Sequence, residues 1–244
     1  MIGGTLYGRN CFDLDYCLEA SLDSLLGVCD EVVVLECESS DNTFEFLRAR
    51  ADADPRINLH RVPWLTSREG VWLRELGNAA RAMLKSDYHV HLQADEVIHE
   101  DSYPLIRQIA KTGHAAFCHR WNFWTDHKHI LNPGKVCGHR IVRVAPQRIE
   151  IFGDGEGMPS NVIHTDPTEI QIFHYGFIRN VEQLSKKGKE IQIGYWGEYD
   201  PIWDEVDKSG KQPLMDLYPI ETLIPFNRSH PKVAQKWLSE HGFH

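Results

Sequence analysis

The sequence predicts an α/β protein built on a mostly parallel sheet. Three observations carry this. Short apolar runs alternate with amphipathic stretches through the first half. The clearest run, EVVVLE at residues 31–36, is β-branched without alternation, as a strand covered on both faces must be. The pattern then changes after residue 112, where strand-like segments lie close together with turn residues between them.

Taken in order, MIGGTLYG reads as a first strand with a glycine-loosened exit. Residues 15–26 carry Leu18, Leu22, Leu25 and Leu26 at helical spacing, and Gly27 follows as the expected stop. EVVVLE is the second strand, and SSDNT after it supplies a turn and a helix cap ahead of Phe44, Phe46 and Leu47. RINLHRV at 56–62 is a third strand closed by Pro63. Between 68 and 85, Leu73, Leu76, Ala80, Met83 and Leu84 share one face of a long helix. YHVHLQ at 88–93 is a short fourth strand that delivers ADE to its carboxyl end, and SYPLIRQIAKTG is a helix ended by Gly113. Strand-like AAFCHRWNFW at 115–124 and HRIVRVA at 139–145 flank a loop with Asn132, Pro133 and Gly134, so this half is expected to be mixed and partly antiparallel. The tail is rich in Pro, Trp and Tyr until PKVAQKWLSEHGFH, a last helix.

With 244 residues and 42% hydrophobic content the chain can bury one substantial core. Its 26 basic and 35 acidic residues give a net charge of −9, and no Lys/Arg block tracks a phosphate backbone, which argues against nucleic acid as a partner. No basic segment leads into a long apolar one, and no run of about eighteen apolar residues occurs, so neither signal peptide nor membrane span is expected. Six cysteines (Cys11, Cys17, Cys29, Cys37, Cys118, Cys137) show no CxxC pairing, which fits reduced thiols and a cytoplasmic location.

In an open parallel sheet a ligand lies outside the carboxyl ends of the strands. Glu36, Asp41 and the pair Asp95 and Glu96 stand at such ends. A diphosphate leaving group needs its charge neutralised, and a divalent cation on one or two carboxylates does this; Asp95 and Glu96 suit such a cation, or else form a polar turn before a helix. Glu36 can accept from the ring N–H of a base, or lead into a capped helix as an ordinary acid. Asp41 needs nothing beyond the helix dipole. FGDGEGMP offers Asp154 first and Glu156 second as a general base, against a plain glycine turn. Trp121, Phe123 and Trp124 are sugar-stacking candidates, with at least two of them expected in the core. Arg140 and Arg143 sit three apart in a strand and face opposite sides.

The segment SLDSLLGVCDEVVVLECESSDNTFEFLR resembles the opening of family 2 glycosyltransferases, with Glu36, Ser39, Ser40, Asp41 and Thr43 in the places of a DxxSTDxT turn. RELGNAARAMLKSDYHVHLQADEVI resembles their next block, an Arg/Asn-bearing helix leading to a strand and a metal-binding DxD; Gln93 replaces its first acid, leaving QAD. FHYGFIRNVEQLSKKGKEI is similar to the HYG segment of a subset of these enzymes. The resemblance implies a GT-A (Rossmann-like) fold over residues 1–225, with a nucleotide-binding half at 1–112, an acceptor half at 113–195 and a tail helix at 226–244. It implies Mn²⁺ or Mg²⁺ on Asp95 and His174, and donor contacts from Tyr7, Arg9, Glu36, Asp41, Arg74, Gln93, Asp95, Arg179, Lys186 and Lys187. At least one of the two lysines is expected on a solvated helix face. The implied activity is inverting transfer of a hexose from a nucleotide diphosphate sugar, UDP-sugar favoured, to a hydroxyl of a glycan, lipid or protein. Two rivals are a nucleotidyltransferase, short of the glycine-rich basic loop it needs after the first strand, and a silent glycan- or partner-binding relative.

Overall fold

The computed structural model describes residues 1–64, 71–135, 139–153, 164–165, 170–196 and 220–242. Its first half is a layered α/β unit. Strand β1 (Ile2–Gly8) is followed by helix α1 (Leu18–Val28), β2 (Glu31–Glu36), α2 (Thr43–Ala53), β3 (Ile57–Arg61), α3 (Val71–Ala82) and β4 (Tyr88–Gln93). β1 pairs in parallel with β2 on one side and β4 on the other, and β2 pairs in parallel with β3. The apolar runs explain this arrangement: Val32, Val33, Val34 and Leu35 are all buried, because helices cover both faces.

The second half adds β5 (Glu96–Ile98), α4 (Tyr103–Ile109), β6 (Ala115–Trp124), β7 (Asp126–Leu131), β8 (Arg140–Pro146), β9 (His164–Thr165), β10 (Gln171–Phe177), α5 (Val181–Trp196), β11 (Leu223–Pro225) and α6 (Gln235–Glu240). The sheet runs β11-β7-β6-β8-β4-β1-β2-β3, with β10 on β5 and β6, and β9 on β6. β8 is antiparallel to both β4 and β6. A parallel core joined to a mixed half is the α/β class expected from the sequence. No helix among the described residues is long and apolar enough to cross a membrane.

Local expectations were corrected in three places. Gly27 lies inside α1 rather than ending it; a Cβ there would fall 2.6 Å from the Tyr103 ring, so the glycine permits α1 and α4 to touch. α4 stops at Ile109, and turns rather than helix carry the chain to Gly113 at φ 73°. The segment before Asn132 holds a strand, β7, paired with β6 across a corner at Thr125 (φ 68°). Its DHKHIL composition hid it, since only Ile130 and Leu131 are buried.

The tail is packed onto the body, but its α-helix spans only Gln235–Glu240 rather than the expected 226–244. β11 pairs with β7, Phe226, Ala234 and Leu238 join a core cluster with Phe123, Phe173 and Tyr175, and the His241 ring bonds Asp15 at 2.7 Å.

Candidate active site

The cavity sits where β1 and β4 end. Tyr7 pairs with Gln93 in the last register positions of these strands, and Tyr7, Gly8, Arg9, Gln93, Ala94 and Asp95 all line a space of about 290 Å³. The turn between β4 and β5 then separates two neighbouring acids, Asp95 in the turn and Glu96 at the start of β5. Asp95 lines the cavity, whereas Glu96 is wholly buried in the sheet.

β10 brings the second half to this point. It pairs antiparallel with β5, setting His174 opposite Glu96, and the Tyr175 N–H donates to the Asp95 carbonyl at 2.9 Å. His174 Nδ1 donates to Asn122 Oδ1 (2.9 Å), and its Nε2 stands 3.6 Å from Asp95 Oδ2. Helix α5 then returns Lys187, whose ammonium donates to Asp95 Oδ2 at 2.7 Å and to the Gly176 carbonyl at 3.0 Å. Its Nζ lies 5.2 Å from the Tyr16 ring centre and 5.0 Å from that of Phe177. Arg179 reaches the same carboxylate oxygen at 3.7 Å from behind, with its side chain fully buried, its guanidinium over Tyr16 and a hydrogen bond donated to the Leu14 carbonyl.

Gly176 is why these groups converge. A Cβ there would lie 2.5 Å from His174 Nε2 and 2.8 Å from both Asp95 Oδ2 and Lys187 Nζ. No side chain can occupy that point while the three polar atoms surround it.

The electrostatics follow from burial and pairing. Burial alone would raise the Asp95 carboxyl, but Lys187, then His174 and Arg179, hold it well below the usual carboxylate range. Burial pushes Lys187 down to about 8 against the upward pull of Asp95. Glu190, also on the cavity wall, is raised by burial in spite of Arg9, 3.5 Å away.

The remaining wall is aromatic. Trp64 and Trp72 meet edge to face at 5.9 Å, Arg9 lies over Trp64, and Tyr7, Tyr16 and Phe177 add further rings. Flat apolar faces beside fixed charges are what a base or sugar ring stacks upon. Trp121, Phe123 and Trp124 take no part in this wall. Phe123 and Trp124 are buried, and Trp121 packs on Phe226.

Of the residues predicted for the donor and metal, the structure brings Tyr7, Arg9, Gln93, Asp95, His174 and Lys187 to one cavity. Others go elsewhere. Glu36 is wholly buried at the end of β2, with one oxygen accepting from the Ser39 N–H and the other 3.0 Å from Arg61 Nε, so its carboxylate is engaged within the protein. Asp41 accepts from the backbone N–H groups of Phe12, Asp13 and Thr43, each at 2.9 Å. Ser39 and Thr43 accept from Asn10 and Cys11 in the same way. The acidic turn therefore clamps the loop between β1 and α1, which carries Arg9, Leu14 and Tyr16 to the cavity. Lys186 turns outward to Glu182 at 2.7 Å and is the solvated lysine of the pair. Arg74 sits half-buried on α3 and does not line the cavity. Asp154 and Glu156 lie outside the described residues.

Glu96 has a structural partner. Arg143 grips it with Nε on Oε2 (2.9 Å) and Nη2 on Oε1 (2.8 Å), and Arg120 adds a third contact at 3.3 Å. Arg140, three residues from Arg143, instead covers the Phe117 ring, so the two do face opposite sides. Sequence reasoning missed Tyr16, Trp64, Trp72 and Glu190. No local pattern marks any of them, although Gly176 was legible inside HYG.

A divalent ion would find a thin donor set here. Among the described residues no three His, Cys, Asp or Glu side chains group to hold a metal. Asp95 and His174 supply two donors, and the carboxylate oxygen facing His174 already carries the Lys187 ammonium at 2.7 Å. Glu96 is consumed by Arg143. These residues do not fit a divalent ion as they stand.

No protein-family model matches the sequence, and no curated protein does. Solved structures do. S. aureus TarS 1-349 is similar over 89% of this chain and 72% of its own, at 9% identity and TM-score 0.44. The same protein in complex with UDP-GlcNAc gives 11% identity, 88% and 72% coverage and TM-score 0.42. A chain described as a glucose-1-phosphate thymidylyltransferase from Bacillus anthracis gives 9% identity, 72% and 91% coverage and TM-score 0.47. At these scores the likenesses decide nothing about chemistry, which rests on the cavity itself.

Proposed function

We propose that the protein is a glycosyltransferase that moves a hexose from a nucleotide diphosphate sugar, UDP-sugar favoured, to a hydroxyl of a glycan, lipid or protein acceptor. The observation that carries this reading is the cavity at the ends of β1 and β4, where aromatic faces stand beside the Asp95, Lys187 and His174 cluster. Rings suit the flat and apolar parts of a donor, and fixed cations suit its phosphates. The order of the sequence blocks supports the same reading, since residues matching the QAD and HYG segments meet in space.

In inverting transfer the acceptor oxygen bonds to the anomeric carbon as the bond from that carbon to the diphosphate oxygen breaks. The electron pair leaves with the nucleotide, and a carboxylate takes the hydroxyl proton. Asp154 is our first choice for that carboxylate and Glu156 our second. A screen of UDP- and GDP-sugars for released nucleotide tests the reading, with turnover of at least one donor expected and Asp154→Asn lowering kcat while leaving nucleotide binding intact. Release of no nucleotide from any donor, with or without acceptor glycans, would sink it.

A further inference from the structure

Four charged side chains line the cavity, Arg9, Glu190, Asp95 and Lys187, and a fifth, Arg179, stands behind them and makes the balance unequal. Arg9 and Glu190 offset one another at 3.5 Å. Asp95 faces two cations, Lys187 at 2.7 Å and Arg179 at 3.7 Å, so one positive charge is left in excess. Arg179 is fully buried behind the carboxylate and tied to the Leu14 carbonyl. Lys187 alone of the two lines the cavity. The spare charge is therefore presented through its ammonium.

The place it occupies is the one a divalent ion would need. The ammonium sits on the carboxylate oxygen nearest His174, and with it, Asp95 and His174 crowd the point a Gly176 Cβ would fill. A second cation on that oxygen would meet the ammonium at close range in a desolvated site, where like charges repel strongly. Gln93, also on the cavity wall, is an amide and brings no charge to balance a second cation.

We propose that Lys187 is the resident cation of this site: its ammonium, backed by Arg179, neutralises the diphosphate of the donor, and donor binding needs no divalent metal. The inference rests on the nucleotide-sugar reading above. The ammonium has three N–H groups; Asp95 and the Gly176 carbonyl take two, which leaves one for a phosphate oxygen, and charge-assisted bonds of that kind are among the stronger ones.

Titration calorimetry of the full chain with UDP and with GDP tests it, in excess EDTA and in excess Mn²⁺, for wild type, Lys187→Met and Lys187→Arg. At least one nucleotide should bind wild type with Kd in EDTA within about threefold of that in Mn²⁺. Lys187→Met should weaken binding roughly tenfold or more in EDTA, and Lys187→Arg should recover part of the loss by restoring the charge. Binding that appears only with Mn²⁺ overturns the proposal and leaves the nucleotide-sugar reading standing. Wild-type affinity in a folded Lys187→Met overturns it as well. Should Lys187→Met fail to fold, the wild-type comparison with and without chelator decides alone. No binding of either nucleotide under both conditions removes the underlying reading, and the proposal with it.

Discussion

Replacing Glu96 by glutamine isolates the most consequential charge in the sheet interior. The carboxylate is 0% exposed and receives both arms of Arg143, itself 0% exposed, together with Arg120. Glu96→Gln keeps the size of the side chain and removes its charge. Two buried guanidinium groups then lose this carboxylate, and breaking a buried ion pair from one side costs about 3–5 kcal/mol. For a chain of this length each kcal/mol lowers Tm by roughly 2–4 °C, so a fall of about 6–20 °C is expected. Circular dichroism through thermal unfolding measures it, and adding Arg143→Met should recover part of the loss because one of the two buried cations is then removed. Acid titration gives a second readout. Burial alone would raise the carboxyl, yet Arg143 and then Arg120 hold it at about 2 against an ordinary 4.5. A depressed carboxylate stabilises the fold above its unfolded value and loses that contribution as pH falls through its folded one, which here amounts to about 3 kcal/mol. Wild type should weaken between pH 4.5 and 2 more steeply than Glu96→Gln. A melting temperature within about 2 °C of wild type would refute the account of Glu96 as the buried counter-ion.

Gly176→Ala places a methyl 2.5 Å from His174 Nε2, so a loss of about 1–3 kcal/mol by overpacking and a clear weakening of nucleotide affinity are expected by calorimetry. Unchanged affinity would show that the three polar atoms need not converge. Asp41→Ala leaves three backbone N–H groups without their acceptor and should cost roughly 1–2 kcal/mol in urea unfolding, with faster amide exchange at Phe12 and Asp13. Exchange as slow as in wild type would remove the clamp role of that turn. His241 is raised above 6.5 first by its hydrogen bond to Asp15. A raised histidine gives its full contribution below its unfolded value and loses it as pH rises through the folded one, so protection of residues 235–240 should fall above pH 6.5 relative to Asp15→Asn. Identical pH profiles in the two proteins would contradict this.

The parallel half was legible because period and composition act locally. EVVVLE and YHVHLQ became β2 and β4 with the bounds their residues imply, the first as a β-branched run covered on both faces and the second as a short alternating segment. β7 was not legible. DHKHIL gains its strand geometry from pairing with β6 and β11, a contact between segments that no local signal encodes.

The same division runs through the site. The sequence by itself determined that Asp95, His174 and Lys187 stand at a strand end, in a HYG segment and on a lysine-bearing helix. Their meeting was decided by the tertiary structure, because the antiparallel pairing of β10 with β5 sets the His174 ring 3.6 Å from a carboxylate 79 positions earlier. The turn from β4 into β5 also gave adjacent acids opposite fates, Asp95 in the turn to the cavity and Glu96 in the strand to Arg143. Glu36 and Asp41 show the converse. Their spacing named them as candidates for the donor, but Asp41 holds the loop that follows β1, and Glu36 is buried away from the cavity lining with Ser39 on one oxygen and Arg61 3.0 Å from the other. Residue type fixes what a side chain can bind, whereas the competition among nearby donors, which exists only after folding, fixes what it does bind.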